Sequence, residues 1–172
     1  MNLILAFIIL LLARKKQSFK FYGVLMLCFL AGMIYELIGV HTGYLFGQYK
    51  YGNVLGAKIL EIPWVIGINW CSLVISSCSI AKIVKLKPIF QAIIAAALML
   101  LLDILIEPVA VNLGFWIWET GEIPLYNYFC WFFLSIPLTF LYLKQRLDEQ
   151  NSLAIALYII LVLFFGILNL LL

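Results

Sequence analysis

The stretch IFQAIIAAALMLLLDILIEPVAVNL, Ile89 to Leu113, is apolar and long enough to cross a bilayer, yet it carries Asp103 and Glu107. A spanning helix needs about 20 apolar residues to bridge a hydrocarbon core roughly 30 Å thick. A carboxylate at that depth costs roughly 2.5–3.5 kcal/mol on insertion scales, so it persists where it has a partner or a task. The i,i+4 spacing places both acids on one helix face. A third acid, Glu36, lies in another apolar run. Function is therefore sought where these three meet.

Composition agrees with a membrane chain. Of 172 residues, 66% are hydrophobic and 11% charged, against about 25% charged in soluble domains. Mean hydropathy is +1.15. Apolar runs predict an all-α, polytopic helical membrane protein in one domain, 1–172, with about six transmembrane helices. These are Asn2–Ala13, Phe19–Gly43, Ile59–Ala81, Ile89–Leu113, Ile123–Leu143 and Leu153–Leu172. The first is short and is expected to rely on snorkelling by Arg14, Lys15 and Lys16. Its basic residues follow the apolar core, the reverse of a cleavable signal peptide.

Nine of the eleven Lys and Arg fall in segments 14–20, 82–87 and 144–149; the alternate loops hold Lys50 and Lys58, then Glu119 and Glu122 without a base. The positive-inside rule puts the first group in the cytoplasm and both termini outside. The expected location is the cell membrane, as a multi-pass protein of a bacterial or archaeal inner membrane. The net charge of +3 is accounted for by this anchoring, and nucleic acid is excluded as a partner. Cys28, Cys71, Cys78 and Cys130 lie in apolar runs without a CxxC pair. They read as small buried hydrophobes, not as a metal or redox site.

A repeat runs through the middle of the chain. EIPWVIGINW (Glu61–Trp70) and EIPLYNYFCW (Glu122–Trp131) share Glu-Ile-Pro and a Trp at equal distance; upstream, Glu36 precedes Gly43 by seven residues, as Glu107 precedes Gly114. The second and third spans thus resemble the fourth and fifth, a parallel repeat of helical hairpins. Glu36 lies sixteen residues beyond Lys20, and Asp103 sixteen beyond Lys87, about 24 Å along a helix in each case. Glu107 lies one turn further out, and Glu61 and Glu122 open the descending helices on the same side, each just before a proline suited to a first helical turn. The acids are expected to converge on one stratum.

The chemistry available there is limited. The chain has one histidine, His41, no paired aspartate-rich motif and no phosphate loop, so neither a metal nor a cofactor is expected. What remains is carboxyls, aromatics and amides, among them Tyr35, Tyr44, Tyr49, Tyr51, Trp64, Asn69, Trp70, Asn112, Trp116, Trp118, Tyr126, Asn127 and Trp131. Burial disfavours a charged carboxyl, and a second carboxyl nearby disfavours it further. A neutral acid can protonate an isoprenoid double bond, and aromatic faces stabilise the carbocation formed. Water would turn that cation into an alcohol; an internal alkene would close a ring. The blander readings are an interfacial belt for the Tyr and Trp residues, helix N-terminal charge for Glu61 and Glu122, and a structural hydrogen bond for His41. Pro108 is expected to kink the fourth span beside the site.

The stretches YELIGVHTGYLFGQYKYG (Tyr35–Gly52), EIPWVIGINW, and DILIEPVAVNLGFWIWETGEIPLYNYFCW (Asp103–Trp131) resemble the carotenoid biosynthesis protein family. That family includes the carotenoid 1,2-hydratases of the bisanhydrobacterioruberin and γ-carotene type. The resemblance covers most of residues 35–131. It implies a cofactor-independent enzyme that adds water to the terminal C=C of an acyclic carotenoid end, giving a tertiary alcohol. Its implied catalytic residues are Glu36, Asp103 and Glu107. Tyr49, Trp70, Asn127 and Trp131 match polar and aromatic positions, and Tyr35, His41, Trp64, Asn69, Trp116 and Trp118 complete the expected substrate-binding set. Expected partners are a lycopene- or γ-carotene-like polyene in a groove between spans two to five, water and membrane lipid, with self-association left open. The rivals are a lycopene-cyclase-like enzyme, a non-enzymatic carotenoid- or quinone-binding subunit, and a small transporter.

Overall fold

A computed structural model describes residues 3–12, 18–145 and 151–172. Arg14, Lys15, Lys16 and Arg146, which enter the snorkelling and loop-charge expectations, lie outside them. The order is α1 (Leu3–Leu12), α2 (Phe19–Thr42), β1 (Tyr49–Tyr51), β2 (Lys58–Ile59), β3 (Ile62–Pro63), α3 (Val65–Ala81), α4 (Pro88–Asn112), β4 (Trp116–Trp118), α5 (Leu125–Lys144) and α6 (Ser152–Leu171). The protein is a helical membrane protein, with two short β-ribbons added to the expected helices. Among the described residues four helices, α2, α4, α5 and α6, are long and apolar enough to cross a membrane. This corrects the expectation of six.

The two short helices differ for separate reasons. Helix α1 has 10 residues and lies against α3 and α6. Helix α3 has 17 because the run from Ile59 does not start as helix. Lys58–Ile59 instead pairs with Ile62–Pro63, turning through Leu60 and Glu61 at φ 49° and 69°. Glu61 therefore sits in a tight turn, and Pro63 in a strand, not a helical turn. Every α3 residue except Asn69 and Ile80 is buried, and the helix touches α1, α2, α4, α5 and α6. A helix ringed by protein has no lipid thickness to match. Its serines at 72, 77 and 79 return their hydroxyls to the carbonyls of Ile68, Leu73 and Ile75, and their small size lets neighbours approach closely.

Both hairpins turn at a glycine in the left-handed region, Gly43 and Gly114, each at φ 68°. A side chain there would be strained, which is why glycine ends these helices. Ser18 caps α2 through a bond from the Phe21 N–H; Asn151 caps α6 by accepting from Leu153 and Ala154. Beyond the two glycines, β1 and β4 pair antiparallel, Tyr49 opposite Trp118 and Tyr51 opposite Trp116. The two partners are equivalent segments of the two hairpins, so their pairing is self-complementary, as at a two-fold contact. Helix α6 is tied to α4 at two levels. Tyr158 Oη donates to the Leu98 carbonyl at 2.8 Å, and Asn169 Nδ2 to that of Leu105 at 2.7 Å.

Candidate active site

Alternation along a strand sends every second side chain to one face. In β1 that face presents Tyr49 and Tyr51, and in β4 Trp116 and Trp118, while Lys50 and Ile117 are exposed on the other. Each pair is aimed at the glutamate of its own hairpin. Tyr49 and Tyr51 donate to Glu36 Oε2 at 2.5 and 2.7 Å. The Nε1 atoms of Trp116 and Trp118 donate to Glu107 Oε2 at 2.9 and 3.1 Å. A third donor comes from the descending helix, Trp70 Nε1 to Glu36 Oε1 at 3.3 Å and Asn127 Nδ2 to Glu107 Oε1 at 3.2 Å. The two halves repeat one plan: a buried glutamate, two aromatic donors from a strand, and one donor from a helix.

The halves meet at the repeated tryptophans. Trp70 and Trp131 stack with centroids 4.3 Å apart and planes within 3°. Tyr49 lies 5.0 Å from Trp118, and Phe46 bridges Tyr49 and Trp131 at 6.3 and 6.1 Å. Two positions break the likeness. The helix donors are not equivalent, since in the repeat Trp70 corresponds to Trp131 and Asn127 to Ile66. Four residues before Glu107 stands Asp103; four before Glu36 stands Gly32. A Cβ on Gly32 would come within 2.5 Å of the Trp70 ring, so Trp70 fills the room a side chain would need. Asp103 Oδ2 accepts from Asn127 Nδ2 at 2.9 Å, so one amide nitrogen serves both acids of α4.

Glu36, Asp103 and Glu107 are 4, 3 and 2% exposed, and all three line one cavity of about 240 Å³. They face protein, not lipid. Hydrogen bonds to charged groups contribute about 1.5–3 kcal/mol each, enough to offset the cost of holding acids at this depth. Tyr49 and Tyr51 lie in the loop outside the spans. Burial, then the neighbouring Glu36, pushes both hydroxyls well above the usual tyrosine range, so they stay donors in mildly alkaline solution. Replacing both with phenylalanine is expected to destabilise the protein by about 3 kcal/mol. Thermal unfolding in detergent measures this; an unshifted transition would show that Glu36 does not depend on them.

The cavity gathers most of the expected site. Asn69, Trp116, Trp118, Asn127, Trp131 and Tyr49 line it with the three acids. Trp70 stands behind Glu36, and Tyr35 behind Trp70 with its ring edge-on at 5.7 Å. Trp70 and Tyr35 thus do not line the cavity themselves, and two more expected residues lie further off. His41 is exposed at the end of α2, with Nε2 3.3 Å from the Leu60 carbonyl. Trp64 precedes α3, its backbone N–H bonded to Ala57. Glu61 and Glu122 are exposed, so the stratum of buried acids contains three members and not five.

Two parts of the wall escaped sequence reasoning. Tyr51, named among the aromatics but not placed in the expected site, shares one face of β1 with Tyr49, signalled by the i,i+2 spacing that Trp116 and Trp118 repeat. The apolar wall includes α6 as well as spans two to five: Leu161, Phe164, Phe165 and Leu168 face the cavity. Their i, i+3, i+4, i+7 spacing marks one helix face, but a helix this apolar throughout gives no contrast by which to pick it out.

Comparison with known proteins places these residues in context. The family described as carotenoid biosynthesis protein matches residues 1–172. A curated relative, the bisanhydrobacterioruberin hydratase of Haloarcula japonica, is 29% identical over 104 residues, 56% of this chain and 36% of the relative. The chain thus matches about a third of that protein's length. No solved structure matches.

Proposed function

This chain belongs to the carotenoid biosynthesis protein family, and on that premise we propose that it is a hydratase of acyclic carotenoid ends. The observation that carries the reading is the convergence of three buried carboxyls on one apolar, aromatic-walled cavity. The distant hydratase relative supports the same reaction class.

In the proposed reaction a neutral carboxyl of the Asp103–Glu107 pair gives its proton to the terminal C=C. The π pair forms the new C–H bond and leaves a tertiary cation. The ring faces of Tyr49, Trp118 and Trp131 stabilise that cation. Water, oriented by Glu36 or the remaining carboxylate of the pair, adds to it, and the oxygen's extra proton passes through that carboxylate back to the donor. The product is a tertiary alcohol, one water heavier than the substrate, and the acid is regenerated without a cofactor. The cavity lies below the roughly 300–1,000 Å³ of drug-sized pockets. It suits one end of the polyene, with the remainder lying along the helices or in lipid. With the basic loops on the cytoplasmic side, this end of the site would lie near the extracytoplasmic face.

The test is expression in a host making lycopene or γ-carotene, with mass analysis of the extracted pigment. A product heavier by one water is expected. A new pigment of unchanged mass would mean cyclisation, and an unaltered profile would mean binding without chemistry; either defeats the hydratase reading.

A further inference from the structure

We infer that Asp103, through its Oδ1, is the proton donor of the site, and that Glu36 and Glu107 are hydrogen-bonded acceptors that keep no transferable proton of their own. The inference rests on the reading above, that the site protonates an alkene. It names which of three acids does so.

The three carboxyls present six oxygens, and five are engaged. Glu36 Oε2 accepts from Tyr49 and Tyr51, and Oε1 from Trp70. Glu107 Oε2 accepts from Trp116 and Trp118, and Oε1 from Asn127. Asp103 Oδ2 accepts from the same Asn127 nitrogen. Asp103 Oδ1 accepts from no donor among the described residues, although the side chain is 3% exposed and lines the cavity. A proton on any of the five engaged oxygens competes with an N–H or O–H already pointing at that group. A proton on Oδ1 meets only the cavity, where the alkene end would lie.

The repeat gives an independent argument. Both halves supply a glutamate, two strand donors and a helix donor, which is a design for holding an acceptor. Only the α4 half adds a second carboxyl; its counterpart, Gly32, is closed off by the Trp70 ring. The carboxyl added to the duplicated scaffold is the one with an oxygen free to react. The step balances: the Oδ1–H bond breaks as the C–H bond forms, Asp103 becomes a carboxylate, and the proton released by the added water restores one neutral acid.

Two readouts on purified protein in lipid test this, with wild type beside D103N, E36Q and E107Q. The first is the infrared carbonyl stretch of a protonated carboxylic acid, identified by its shift in D₂O, which needs no substrate. It is expected in wild type, E36Q and E107Q and absent from D103N. The second is conversion of the carotenoid: D103N is expected to lose at least about 100-fold, the scale of general acid catalysis. An acid band that survives in D103N but vanishes in E36Q or E107Q would overturn the assignment, as would near-wild-type conversion by D103N. If D103N does not fold, bands persisting in both glutamine variants still place the proton on Asp103, and loss in either removes it. A wild type that has the Asp103 band but hydrates nothing would refute the hydratase reading while leaving the proton where we place it.

Discussion

Asn127→Leu is expected to destabilise the folded protein by about 3 kcal/mol, on the scale of one hydrogen bond to a charged group and one to a neutral acid, and to abolish carotenoid conversion. Asn127 Nδ2 is the one donor shared by Asp103 Oδ2 and Glu107 Oε1, at 2.9 and 3.2 Å. Leucine keeps the same count and branching of heavy atoms, so the helix α5 position stays filled while both hydrogen bonds vanish. Asp103 would then have no hydrogen-bond donor among the described residues, and two acids one turn apart would face each other without the N–H groups between them. Thermal unfolding in detergent, followed by tryptophan fluorescence, measures the first effect, and pigment analysis the second. Wild-type stability in this variant would show that the acids do not depend on the amide.

Gly52→Ala is the second large effect, and it acts at a distance. Gly52 follows β1 and donates its N–H to the Phe115 carbonyl at 2.9 Å. An added Cβ would collide with the Gly114 carbonyl oxygen, a backbone atom held by the turn that ends α4. Neither segment can yield by rotating a side chain, so β1 and β4 must separate. Overpacking of this kind costs about 1–3 kcal/mol, and a backbone collision belongs at the upper end. The consequence for function exceeds that for stability. The ribbon carries Tyr49, Tyr51, Trp116 and Trp118, so four of the donors to Glu36 and Glu107 move together. A circular dichroism spectrum like wild type with conversion reduced about 100-fold or more is the expected pattern, because small misplacements in a site cost that much. Full activity would mean that the ribbon does not set the donors.

The three acids were legible because a bilayer makes them conspicuous: a carboxyl in a run such as Ile89–Leu113 is costly wherever it points. The repeat was legible for a related reason, since Gly43 and Gly114 must both adopt positive φ where a helix ends, and few residues do so without strain. The extent of helix α3 was not. Ile59–Trp64 is as apolar as the helix that follows, and hydropathy does not distinguish a strand pair from a first helical turn. The number of membrane-crossing helices was overcounted on the same ground, because an apolar run reads alike whether lipid or protein surrounds it. His41 and Trp64 drew notice by residue type and sequence position, and neither reaches the cavity.

The sequence by itself determined that this chain is helical and lives in a membrane, that it is built on a doubled hairpin, and that Glu36, Asp103 and Glu107 are its costly residues. Those properties follow from hydropathy and spacing, which are local and one-dimensional. Only the tertiary structure decided that β1 pairs with β4, that Trp70 lies on Trp131 and in the room left by Gly32, and that one nitrogen of Asn127 serves two acids. Each of these joins segments far apart in the chain, where the choice of partner depends on what every other helix leaves free.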